Sequence, residues 1–140
     1  MALSVKDVKV GDTHEEVVVD DLVRTQLVMY AGASGDYNPL HTDEVFAREI
    51  GGYPGVFAHG MLTMGLTGKA VTNLVDPDRL TRYGGRFKAQ VWPGDTLTAR
   101  LTVDAVREDG GDNLVDLTVV TVNQNGEEVF SGYATAKLDS

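Results

Sequence analysis

Apolar residues recur at helical spacing between polar loops in the first half of the chain, and alternate one by one in the second. Val17-Val18-Val19 predicts a short strand, and Asp20 or Asp21 is placed to cap a helix by accepting first-turn N–H groups. Val23, Leu27 and Tyr30 follow at helical spacing as a buried stripe, which Gly32 to Gly35 brings to an end. A polar loop runs from Ser34 to Thr42, a short amphipathic turn covers Asp43 to Ile50, and Gly51, Gly52 and Pro54 then break the chain. From Gly60 to Val75 only Lys69 is charged, which predicts a helix buried nearly all round. Gly65 and Gly68 each cost such a helix about 1 kcal/mol relative to Ala, so close approach to a sheet is expected in return. Asp76-Pro77 stops it.

Beyond this point the period becomes two. Phe87, Ala89 and Val91 alternate with Arg86, Lys88 and Gln90; Pro93-Gly94-Asp95 turns the chain; Leu97, Ala99, Leu101, Val103 and Ala105 form the next strand. Gly110-Gly111-Asp112 turns it again before Val115, Leu117, Val119 and Thr121. Asn125-Gly126 predicts a hairpin, since both residues tolerate positive φ. Val129 to Leu138 closes the series with Phe130, Ala134, Ala136 and Leu138 on one face. One long apolar helix and a consecutive antiparallel meander make an α+β pattern, a curved sheet wrapped around a helix. No repeat or long linker divides residues 1–140, which predicts a single domain.

Composition narrows the classes. Hydrophobic residues make up 42% of 140, enough for a core. Cysteine is absent, which removes disulfides, zinc ribbons and thiol nucleophiles and suits a reducing cytoplasm. Met1 to Lys6 lacks a signal-peptide pattern, and no apolar run is long enough to span a bilayer. The net charge of −9 argues against a nucleic-acid partner and obliges any anionic ligand to find a local basic patch.

The polar loop carries the candidate chemistry. Asp36 and His41 flank Asn38-Pro39, and an acid–base pair needs a group that takes a proton and one that gives it. An imidazole titrates near neutrality; Asp36 would need partial burial to act as an acid at pH 7. Asn38 can fix the loop, and Pro39 stiffens it. By spacing alone the same residues more often belong to an ordinary polar loop than to a catalytic pair. Ala58-His59-Gly60-Met61 opens the long helix, whose free N–H groups can receive a carbonyl oxygen. Gly60 is the candidate oxyanion donor through its main chain, with glycine allowing close substrate approach. His59 reads as structural or substrate-lining. His14 reads as solvated. Arg82, Arg86 and Lys88 share strand parity, unless Gly84-Gly85 bulges, and form either a solvated face or a phosphate-binding patch. A metal site from Asp36, His41 and His59 matches no dedicated ligand spacing, so none is expected.

Tyr30-Ala31-Gly32-Ala33-Ser34-Gly35-Asp36-Tyr37-Asn38-Pro39-Leu40-His41, with Ala47 beyond, resembles the signature of the MaoC-like, or hydratase 2, family. His59-Gly60-Met61-Leu62 resembles its central-helix start, and Lys9-Val10-Gly11-Asp12 and Val91-Trp92-Pro93-Gly94-Asp95 its flanking turns. Gly60 to Gly65 and Arg86-Phe87 are further similar to the catalytic-subunit branch of mycobacterial-type (3R)-hydroxyacyl-acyl-carrier-protein dehydratases. The resemblance implies a hot-dog fold and a lyase that reversibly hydrates trans-2-enoyl thioesters to (3R)-3-hydroxyacyl thioesters. Asp36 and His41 would be its dyad, Asn38 a loop organiser, and the Gly60 amide the carbonyl donor.

It further implies no cofactor beyond coenzyme A or phosphopantetheine as substrate carrier. The expected assembly is a homodimer, or a heterodimer with a related hot-dog subunit, in the cytoplasm. Docking of an acidic carrier protein would rest on Arg82, Arg86 and Lys88. One departure stands out: some relatives carry a supporting Ser where this chain has Gly68, and the neighbouring Thr67 is the candidate replacement. A hot-dog thioesterase, a non-catalytic acyl-binding subunit of a heteromeric dehydratase, and an oligomerising module are the rival readings.

Overall fold

The computed structural model describes residues 3–140; Met1 and Ala2, which begin the segment read above for a leader, lie outside the described residues. The elements are β1 (Thr13–Val19), α1 (Arg24–Ser34), α2 (Glu44–Glu49), α3 (Gly60–Val75), β2 (Leu80–Phe87), β3 (Leu97–Asp109), β4 (Asp112–Val122) and β5 (Glu128–Leu138), with single 3-10 turns at Pro39–His41 and Pro77–Arg79. The strands form one antiparallel sheet in the order β1-β3-β4-β5-β2. The expected α+β arrangement is the observed one. Val71 and Val75 of α3 pack with Leu101, Val103, Val115, Val119, Phe130 and Ala134 of the sheet. A second cluster joins Leu62 of α3 to Leu22, Leu27, Ala47, Val56, Val91 and Val129. That second cluster holds α1, α2 and the loop before α3 against the sheet.

Several local expectations change. Asp20 and Asp21 do not cap α1, whose N-cap is Val23 with no side-chain bond. Thr96 claims them instead: its hydroxyl donates to Asp20 and accepts the Asp21 N–H. Leu22, Leu27 and Ala31 carry the burial of this region, while Val23 is exposed and Tyr30 half-buried. The strand expected over 87–91 lies earlier, because β2 pairs with β5 and leaves the sheet at Phe87. Residues 88–91 run on as a connection, held by Lys88 N–H to Val129 O and by Ala58 N–H to Val91 O. Gly84-Gly85 does not bulge; the register shifts between Leu80 and Arg82. The β4–β5 hairpin forms, but through a longer loop over 123–127. There Asn123 accepts from the Asn125 and Glu127 amides, and Gly126, not Asn125, takes positive φ.

Nor is α3 buried all round. Met61, Gly65, Lys69 and Asn73 form an exposed stripe at four-residue spacing. Gly68 does serve close packing, since a Cβ there would lie 3.2 Å from the Tyr83 ring, whereas Gly65 faces open space. Thr67 is fully buried, with its hydroxyl bonded to that of Thr121 at 2.7 Å. Replacing Thr67 with Val should strand the Thr121 hydroxyl in the core and cost about 1–3 kcal/mol. Replacing both threonines with Val should restore most of that loss, as read by urea unfolding of the two variants beside the parent.

Candidate active site

The loop from Ser34 to His41 is built by short side-chain-to-backbone bonds. The Ser34 hydroxyl accepts from Asp36 N–H, the Asp36 carboxylate from Asn38 N–H, and the Asn38 side chain from Leu40 N–H. These successive turns are what small polar residues offer a chain that has left its helix. Gly35 at φ +75 ends α1, with its N–H returned to Ala31 O. Asn38 then caps the 3-10 turn Pro39–His41. The loop arrives at α3 through two imidazoles. Nδ1 of the buried His41 lies 2.6 Å from Phe57 O, and Nε2 of the buried His59 lies 3.0 Å from Asp36 O. Carbonyl oxygens only accept, so each of these nitrogens carries the proton. In neutral His41 the free lone pair is therefore on Nε2. The two rings stack with centroids 3.8 Å apart.

Asp36, His41 and His59 each bring a potential donor atom within 4.8 Å of the others. Asp36 is exposed in this chain, so the partial burial expected for it is not supplied here. The three residues suit a shared metal ion poorly. An imidazole holds a metal in its ring plane at about 2.0–2.1 Å, and two stacked planes only 26° from parallel do not meet at that distance.

His59 is also the N-cap of α3, and its carbonyl takes the Leu62 and Thr63 amides. Gly60 N–H and Met61 N–H have no acceptor among the described residues, as a helix start requires. The space beside Gly60 is not empty: a Cβ there would lie 2.8 Å from the Phe87 ring. Glycine here admits the Phe87 ring, and Gly60 also lines a cavity.

A cavity of about 300 Å³ opens at this helix start, lined among others by Phe57, Gly60, Thr63, Phe87, Lys88 and Val129. Asp36 and His41 do not line it; His41 adjoins it through Phe57, whose carbonyl holds the imidazole. Lys88 lines the cavity, while Arg82 lies over the Tyr133 ring at 4.2 Å. Arg86 shares the Arg82 parity, on the sheet face opposite Phe130. Thr67, bonded to Thr121 in the core, does not replace a helper hydroxyl beside the dyad. His14 is exposed on β1.

The profile of the MaoC like domain matches residues 6–125. The chain belongs to the MaoC-like family. It is 33% identical over 129 residues to a peroxisomal enoyl-CoA hydratase 2 of Arabidopsis thaliana, covering 90% of this chain but only 39% of that protein. It is 33% identical over 116 residues to the (R)-specific enoyl-CoA hydratase of Aeromonas caviae, covering 81% of this chain and 84% of that one. Among solved structures it is similar to the R-hydratase PhaJ1 of Pseudomonas aeruginosa in the unliganded form. That match has a TM-score of 0.84 and 25% identity, over 99% of this chain and 88% of the other. The hot-dog fold implied by the sequence is thus the fold of this MaoC-like chain. No helix among the described residues is long and apolar enough to cross a membrane.

Two features of the site lay beyond sequence reasoning. Phe57 holds His41 through a main-chain oxygen, which no side-chain pattern announces. Segment 88–91 lines the cavity because it is not a strand, although its alternation reads as one.

Burial holds the His41 pKa below the ordinary 6.5, and His59 adds to the lowering, against the opposing pulls of the Phe57 bond and the Asp36 charge. The unfolded chain then binds this proton more readily than the folded one. Stability through His41 is full above the ordinary imidazole range and falls as pH drops below 6.5. Titration of the His41 Cε1–H by NMR should give a midpoint below that of a free histidine, and acid unfolding of the parent should gain a component that a His41→Gln variant lacks.

Proposed function

We propose that this chain catalyses the reversible hydration of trans-2-enoyl thioesters to (3R)-3-hydroxyacyl thioesters, with Asp36 and His41 as its acid–base pair. One observation carries the reading: a carboxylate and an imidazole with a free Nε2 lie together beside His59, the N-cap of α3, whose first residue Gly60 lines a cavity. The names of the family relatives support the reaction class.

In hydration, a water held by Asp36 and His41 attacks C3 of the enoyl thioester. One proton of that water passes to the dyad as the C3–O bond forms. The C2=C3 electron pair shifts toward the thioester carbonyl, whose oxygen gains charge and is met by the free amide of Gly60. The dyad then returns a proton to C2 on the same face and ends as it began. Dehydration is the reverse. The protons are assigned to the pair and not to either member. The reaction as written calls for no metal or redox cofactor. Coenzyme A or phosphopantetheine is the handle by which the acyl group is carried, and Lys88 at the cavity offers a cation to its phosphates.

A second hot-dog subunit, identical or related, completes the site in this reading. Asp36, Tyr37, Met61 and Phe87 are exposed, and β2 ends the sheet with one edge unpaired among the described residues. Such a subunit would supply the burial that Asp36 lacks in the single chain.

Asp36→Asn and His41→Ala should each lower turnover by about 10²–10⁴-fold while leaving the far-UV circular dichroism unchanged. The assay is loss of enoyl absorbance with crotonyl-CoA and a longer enoyl-CoA. Near-parental hydration by either variant sinks the dyad, and release of free thiol in place of hydration would make the enzyme a thioesterase.

A further inference from the structure

His59 touches both members of the proposed dyad and the helix that faces them. Its side chain is 1% exposed. Its Nε2–H donates to the main-chain oxygen of Asp36 at 3.0 Å, which fixes the peptide bearing the carboxylate. Its ring lies against that of His41 with centroids 3.8 Å apart, and the edge-on ring of Tyr30, from α1, lies 4.8 Å away. Its backbone caps α3, one residue before Gly60. Its Nδ1 is buried with no hydrogen-bond partner. A histidine kept only for capping would use its side chain on the first-turn amides, and this one does not.

We propose that His59 is a positioning residue with two separable actions: its Nε2–H sets the Asp36 carboxylate against the start of α3, and its ring covers one face of the His41 base. The inference rests on the hydratase reading. The groups that face His41 are Asp36 from its own loop, His59 from the start of α3 and the Phe57 carbonyl; Tyr30 reaches it only through His59. Burial is the largest influence on His41, so uncovering one face moves its titration upward, toward that of a free imidazole.

Two substitutions separate the actions. His59→Gln keeps an ε-amide able to donate to Asp36 O and removes the aromatic cover. His59→Phe keeps the cover and removes the donor. In the Phe variant, kcat for enoyl-thioester hydration should fall by about 10²-fold, the scale of a small misplacement of a catalytic group, with KM little changed and the His41 titration moved upward less than in the Gln variant, since only the electrostatic influence of His59 is lost and the cover stays. In the Gln variant, more of kcat should survive, while the acidic limb of the kcat profile and the His41 Cε1–H titration both move to higher pH.

A merely structural His59 would lower the melting temperature in both variants, leave the kcat-to-KM split unmoved and shift the His41 midpoint equally in the two; that result overturns the proposal. So does a Phe variant with parental kcat, or a Gln variant with an unmoved His41. Should either variant fail to fold, the other still decides its own half. Absence of enoyl hydration by the parent would count against the hydratase reading alone, because the His41 titration of the parent and the Gln variant remains readable without turnover.

Discussion

The packing of one helix against one sheet fixes where everything else can be. Val71 and Val75 are sealed against β3, β4 and β5, and Leu62 near the other end is sealed against α1, α2 and the connection before β3. With both ends of α3 buried, its first turn cannot shift relative to the sheet without opening a cavity, which interiors of this density resist. The start of α3 is therefore a rigid place to present backbone amides. Rigidity is what electrostatic stabilisation requires, since donors that must reorganise during reaction lose much of their effect.

The polar loop reaches that rigid place with little apolar packing of its own. Its shape comes from Ser34, Asp36 and Asn38 bonding the backbone two residues ahead. Its position comes from the His41–Phe57 and Asp36–His59 bonds. Both anchors end on main-chain oxygens. They leave the His41 Nε2 and the second oxygen of the Asp36 carboxylate, whose first accepts the Asn38 N–H, without a bond among the described residues, and a group that is to move protons needs such an atom. The arrangement has a cost in exposure: Asp36 faces solvent in the single chain, and the cavity at Gly60 adjoins the dyad without enclosing it.

The glycines show how one residue type serves different demands. Gly35 and Gly126 allow positive φ where α1 ends and where β4 turns into β5. Gly60 and Gly68 instead make room for the rings of Phe87 and Tyr83, drawing β2 against α3. Tyr83 adds a bond from its hydroxyl to Met64 O, so this contact is directional as well as close.

Periodicity in the sequence determined the elements whose burial is one-sided and regular. The alternation over Leu97 to Ala105 and over Val115 to Thr121, and the low charge of Gly60 to Val75, each fit one structure. The Asp36-to-His41 loop was also visible, because Asp, Asn, Pro and His are the residues that make such turns and that titrate. Tertiary structure alone decided whether β2 would run over 80–87 or beyond, since β5 pairing outweighed an equally good alternation at 87–91. It also decided that Asp20 and Asp21 would serve Thr96 and not α1, and that Arg82 would lie over the Tyr133 ring while Lys88 lines the cavity. The physical reason is common to all three. Local pattern reports what a residue prefers, while the competing partner, a strand edge, a hydroxyl or an aromatic face, stands far away in the chain and exists only once the chain has folded.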